Sequence, residues 1–190
     1  MKVKFYIFSI CAFFFLYACK HSYYDIEKRE LNTGVRNDSI FFDLHFGMDR
    51  KDFYDRCWEL NKQGIVKEGP SNSSVIYSIK EGVRYNVEML FYPKFHENKV
   101  YMMLTTFTYE GWAPWNRDRF SNFLLEDVKQ LLESWYGGSF LAVEDGNDEK
   151  LYVMVQGNRR ITISIIDDRD VRVRFTDLSI SKTINQNIGP

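Results

Sequence analysis

Residues 83–109, VRYNVEMLFYPKFHENKVYMMLTTFTY, decide the fold. Val83, Tyr85, Val87, Met89 and Phe91 alternate with Arg84, Asn86 and Glu88, a period of two. Successive strand side chains point to opposite faces, so this pattern predicts a strand with one face buried and one wet. Pro93 to Asn98 then turns the chain, and Val100 to Tyr109 predicts the next strand. Connections this short join antiparallel neighbours, so the stretch reads as part of a meander. Just upstream, Val75, Tyr77 and Ile79 alternate with Ile76 and Ser78, and Glu81-Gly82 makes the intervening turn.

Helical spacing flanks these strands. Ile40 to Phe46 predicts a short strand, and Gly47-Met48-Asp49 leads into a helix with Asp49 at its N-cap and Asp52 in its first turn. Phe53, Cys57 and Leu60 share one stripe, Tyr54 and Trp58 adjoin it, and Gly64 supplies a left-handed stop. Downstream, in residues 117–138 (RDRFSNFLLEDVKQLLESWYGG), Phe120, Phe123, Leu124, Val128, Leu131, Leu132 and Trp135 recur at helical spacing before Gly137-Gly138. Strands at 139–144, 151–156, 160–166 and 171–180 follow, separated by Gly146-Asn147-Asp148, Gly157-Asn158 and residues 167–170. The expected order is β-α-βββ, then α-ββββ. Its class is α+β: one antiparallel sheet from two tandem helix-plus-meander units, with the helices on one face.

The chain has 190 residues, enough to bury a core without a metal or disulfide staple. Its net charge of −1 includes no basic surplus, so nucleic acid is not an expected partner. The start reads differently from the rest. Lys2 and Lys4 open the chain, and no charge follows until Lys20. As a helix, the 15 residues between Lys4 and Lys20 span about 22 Å, against a hydrocarbon core of about 30 Å. That length suits a signal-peptide core better than a stable membrane span.

FFFLYACKHS, residues 13–22, places Cys19 directly behind this apolar run. Leu16-Tyr17-Ala18-Cys19 resembles the lipobox of bacterial lipoproteins, although Tyr17 is bulkier than the usual residue there. The resemblance implies that Cys19 is lipidated: linked through its sulfur to diacylglycerol, cleaved before its own nitrogen and acylated there. A thiolate is the strong nucleophile such chemistry needs. Several acyl chains, at about 0.8 kcal/mol per buried CH₂, hold a protein where a single chain does not. The residues alone also admit an uncleaved signal anchor or an ordinary secretory signal. Loss of residues 1–18 removes two lysines and no acids, leaving 23 basic and 26 acidic residues and a net charge of −3.

The expected organisation is therefore a removed signal peptide at 1–18, a polar tether at 19–38, a single α+β domain of two pseudo-repeats at 39–182 and a C-terminal tail at 183–190. Residues 20–38 (KHSYYDIEKRELNTGVRND) are polar and show neither helical nor strand periodicity. The membrane, reached through the N-terminal lipid, is one expected partner, and an envelope protein is another. The expected location is the outer membrane. Acidic clusters just behind a lipidated cysteine resemble surface-export signals, and here the first acid after Lys20 is Asp25. The periplasmic and cell-surface sides both stay open.

The strand, Phe46-Gly47-Met48, helix and Gly64 succession resembles the opening of a group of small envelope proteins, with Trp115, Leu131 and Tyr136-Gly137 matching that group's second helix. The whole plan resembles the β-lactamase-inhibitor-protein-like fold. The BamE family of outer-membrane assembly lipoproteins is similar in its lipid anchor and in a smaller αβ plan. Such likeness concerns residues 40–180 and implies a fold rather than an activity.

The residues hold little chemistry. His21, His45 and His96 fall at no metal-ligand spacing. Residues 145–149, DGNDE, begin like a calcium loop, but Lys150 stands where such a loop needs glycine. Ser179-Ile180-Ser181-Lys182 is the one Ser-Xaa-Xaa-Lys, running into the tail, and no GxSxG or phosphate-binding glycine loop occurs. Cys57 reads as a small buried residue. No cofactor or enzymatic activity is expected. What stands out is apolar surplus on the strands. If one sheet face meets the helices, Tyr101, Met103, Phe107, Tyr109, Tyr152 and Met154 present a protein-binding surface on the other. In the competing reading, loops or Trp112 and Trp115 cover that face. A different expectation is an envelope protein, binder or enzyme, that handles glycans or small molecules by stacking sugar rings on Trp112, Trp115 and Tyr136.

Overall fold

The computed structural model describes residues 23–70, 74–144 and 150–187; Cys19 with its leader, His21 and the DGNDE loop lie outside the described residues. Helix α1 (Tyr23–Asn32) precedes α2 (Arg50–Lys62), which is followed by β1 (Val66–Glu68), β2 (Val75–Ile79), β3 (Val87–His96) and β4 (Lys99–Tyr109). A 3₁₀ turn at Arg117–Arg119 leads into α3 (Ser121–Tyr136), then β5 (Leu141–Glu144), β6 (Lys150–Gln156), β7 (Arg159–Ile165), β8 (Asp170–Asp177) and α4 (Leu178–Asn187). The described strands make one antiparallel sheet in the order β1-β2-β3-β4-β8-β7-β6-β5. The protein is α+β.

The sheet is joined at its centre by β4 and β8, where Met103 faces Phe175, Thr105 faces Val173 and Phe107 faces Val171. These side chains share one face and are buried, together with Met89, Phe91, Ile161 and Ile163. Helix α3 sets its buried stripe of Leu124, Val128, Leu131 and Leu132 against this layer. Fully burying one such side chain contributes about 1.5–3 kcal/mol, so the α3 interface is a main source of stability.

Several local expectations change. Ile40 to Phe46 is no strand. Ile40 N–H donates to Leu44 O at 2.8 Å and Leu44 N–H to Phe41 O at 2.9 Å, around Phe42 and Asp43 at φ +54° and +63°. The apolar run is there because Ile40, Leu44 and Phe46 reach the core from a loop. β3 starts at Val87 rather than Val83 and runs through Pro93 to His96, with a register shift at Lys94/Phe95 absorbing the irregularity. The actual turn is Glu97-Asn98, both at positive φ, as a two-residue hairpin requires. β1 was too short for alternation to reveal. Asp49 does precede α2, but its carboxylate pairs with Lys99 at 2.9 Å instead of capping the helix.

The ends of the chain differ most. The expected tether contains α1, and its last residues are fastened to the turn between β6 and β7. Asn37 N–H donates to Asn158 Oδ1 at 2.6 Å, and Asn158 Nδ2 donates to Asp38 Oδ1 at 2.9 Å. The strand expected at 171–180 stops at Asp177, and α4 carries the chain to Asn187 through the expected tail. Nor do all helices share a face. Arg160 neighbours the buried Ile161 and so points the opposite way. It donates to the buried Glu27 of α1 at 2.7 Å, which places α1 on the face opposite α3.

Candidate functional site

Four of the six residues expected on an open binding face are core. Met103, Phe107, Tyr109 and Met154 are buried, and Tyr101 and Tyr152 are half-buried. Both faces of 100–109 carry large side chains, so alternation sorted them into two sets without showing which set the helices cover. Tyr109 donates its hydroxyl to Asp127 of α3 at 2.6 Å. Tyr152 lies beside α3, its ring centroid 5.3 Å from Lys129 Nζ.

The face left without α3 has its own pattern. Strand pairing lays out three rows across it: Tyr92, Leu104, Arg174 and Thr162; Leu90, Thr106, Arg172 and Ser164; Met102, Thr176 and Arg160. Apart from Thr176, every one of these keeps partial or full exposure. Among the described residues, α1 lies over the β6 side and α4 follows β8 at one end.

The electrostatics of this face are one-sided. Arg172 and Arg174 stand two residues apart on β8, hence on the same face, and Arg160 lies diagonal to Arg174, a separation of about 7–8 Å. Only Arg160 has a carboxylate, Glu27; among the described residues, neither Arg172 nor Arg174 has an acid within ion-pair distance. Burial, and then the like charges of Arg160 and Arg172, hold the Arg174 guanidinium below its ordinary pKa. Among the described residues the buried Thr176 hydroxyl next to them has no hydrogen-bond partner. The acids that the described strands bring to this face, Glu88 and Asp170, sit opposite Thr108 at its far end, and Thr108 already donates to Asp170. The signal was present in VRVRFT, residues 171–176, but alternating charge reads as an ordinary wet face until the surrounding acids are placed.

The remaining candidates are structural or scattered. Cys57 is buried, and burial pushes its thiol up to about 12, far from a nucleophile's range. His45 Nδ1 lies 2.9 Å from Phe46 O, and His96 lies against Tyr101. Among the described residues there is no cluster of three metal-ligating side chains. Asp167 accepts from the backbone N–H of Arg169 and Asp170, both at 2.9 Å, closing its own turn. The three stacking aromatics are not one platform. Trp112 packs on Phe120 before α3, Trp115 is 81% exposed, and Tyr136 bonds Ile40 O at the far end of a 16-residue helix, about 24 Å away.

Comparison with protein-family models, with curated proteins and with solved structures finds no match to this chain. Among the described residues, no helix is long and apolar enough to cross a membrane.

Proposed function

We propose that this protein is a lipid-anchored, non-enzymatic binding module of the bacterial cell envelope, held to the outer membrane through Cys19. On this reading it docks an acidic segment of a protein partner on the sheet face opposite α3. The two helix-plus-meander halves, related across the β4–β8 pair, act as pseudo-repeats that build one wide sheet. The carrying observation is the pair Arg172 and Arg174, exposed or half-buried without carboxylates, set among Tyr92, Leu104 and Leu90. Unpaired guanidiniums beside apolar side chains suit a segment that brings acids together with apolar contacts.

The test is photo-crosslinking in intact cells from benzoylphenylalanine in place of Leu104, with peptide mapping of the product. An Asp/Glu-rich peptide is expected, and it should vanish in Arg172→Glu/Arg174→Glu while the far-ultraviolet spectrum of the protein holds. Crosslinking to phospholipid alone, or a product indifferent to charge reversal, overturns the docking reading. Mass spectrometry of the N-terminal peptide tests the anchor separately. An intact leader without acyl chains overturns it.

A further inference from the structure

A second site lies on the other side of the sheet, at the C-terminal end of α3. There a cavity of about 380 Å³ is lined by Ser39, Ile40, Phe41, Trp135, Tyr136 and Arg159. Its wall is aromatic, with Trp135 40% exposed. Among the described residues its one charged lining group is Arg159, 7% exposed. Buried guanidiniums are normally matched by a carboxylate. Here Nη1 donates to Ser39 O at 2.8 Å and Nη2 to Gln156 Oε1 at 2.5 Å, both neutral acceptors. The guanidinium carbon stands 4.4 Å from the Tyr136 ring centroid.

Three further facts define the site. Among the described residues no acid lies within ion-pair distance of Arg159. Asp177, its cross-strand partner, accepts from Arg36 and from Ser179 N–H instead. Among the described residues the buried Nε of Arg159 has no hydrogen-bond partner. Gln156 is itself held by donating Nε2 to the carbonyls of Tyr136 and Gly137 at 3.2 and 3.0 Å, so the cation is positioned rather than loose.

We infer that this cavity binds a small cyclic monocarboxylic acid, its carboxylate on Arg159 and its ring against Trp135 and Phe41. The size suits one ring, being at the small end of ligand pockets. A single cation matches a carboxylate better than a phosphate dianion. A neutral ring would leave the guanidinium uncompensated. The site does not depend on the docking face.

Calorimetric titration of the protein as cells produce it, purified in detergent, against a detergent blank, tests it with four probes: glucuronate, benzoate, glucose and inorganic phosphate. At least one of the acids should bind with Kd below about 1 mM, and glucose and phosphate about tenfold more weakly or not at all. Glucuronate alone would mark a sugar-acid site and benzoate alone an aryl-acid site. Arg159→Gln should weaken the bound acid about tenfold or more. Should that variant lose its near-ultraviolet spectrum, Trp135→Ala, which spares every Arg159 hydrogen bond, must still weaken the acid severalfold. Neither acid binding up to about 10 mM, equal binding of glucose or phosphate, or indifference to Trp135→Ala overturns the assignment. Arg172→Glu/Arg174→Glu should leave acid binding unchanged, which separates this site from the docking reading.

Discussion

Replacing Asp127 by alanine should be among the most damaging single changes in this protein. Its carboxylate is buried in α3, and accepts from the Tyr109 hydroxyl at 2.6 Å and from Arg84 N–H at 2.7 Å, with Arg84 Nε at 3.3 Å. Asp127→Ala leaves the buried Tyr109 hydroxyl without an acceptor, which costs about 1–3 kcal/mol. The half-exposed Arg84 backbone can turn to water, so its loss is about 1 kcal/mol, and its solvated guanidinium adds about 0.5 kcal/mol. Together these put the loss at about 3–4 kcal/mol, within the range for breaking a buried charged contact. Urea unfolding should show a lower midpoint at unchanged slope. Tyr109→Phe should cost only about 1 kcal/mol, and the double variant should fall short of additivity by about 1–2 kcal/mol, since the two groups share one bond. A loss below about 1 kcal/mol for Asp127→Ala, or strict additivity, would refute the argument that this carboxylate ties α3 to the sheet.

Phe107→Ala should lower stability by about 3–5 kcal/mol through cavity formation, readable in the same unfolding titration, whereas an exposed aromatic would cost a fraction of that. Gly157→Ala should lower the melting temperature and loosen the 35–38 segment in hydrogen exchange. Gly157 sits at φ +57°, where an added Cβ would overlap the Val35 carbonyl oxygen. The raised Cys57 pKa gives a pH signature. Its protonated thiol favours the folded state fully below the unfolded pKa of about 8.5, and that contribution fades as pH rises toward about 12. At about pH 9.5 the loss amounts to about 1 kcal/mol. Cys57→Val should therefore flatten the fall of stability between about pH 8.5 and 10. Native-state alkylation of Cys57 should also be as slow as global unfolding, and rapid labelling at neutral pH would contradict its burial.

Period and punctuation along the chain determined much of the architecture. The stripe of Leu124, Val128, Leu131 and Leu132, ended by Gly137, is helical on spacing alone, and the alternation through β2, β3, β4 and β6 to β8 made antiparallel strands legible. The buried setting of Cys57 was readable in the same way. Short or irregular pieces were not. Three residues of β1 carry no period, and the loop from Ile40 to Phe46 imitates a strand because three of its side chains happen to reach the core.

What only tertiary structure decided is which side of each strand lies inward. Period two divides 100–109 into Met103, Phe107 and Tyr109 against Met102, Leu104 and Thr106, and both sets are apolar enough to be core. Packing of α3 chose the first set, so the residues expected to meet a partner became the interior. Charge balance is likewise a property of space. Arg159, Arg172 and Arg174 look ordinary in a chain with nearly equal acids and bases. They become unusual only once folding has left each of them, among the described residues, with no acid within ion-pair distance.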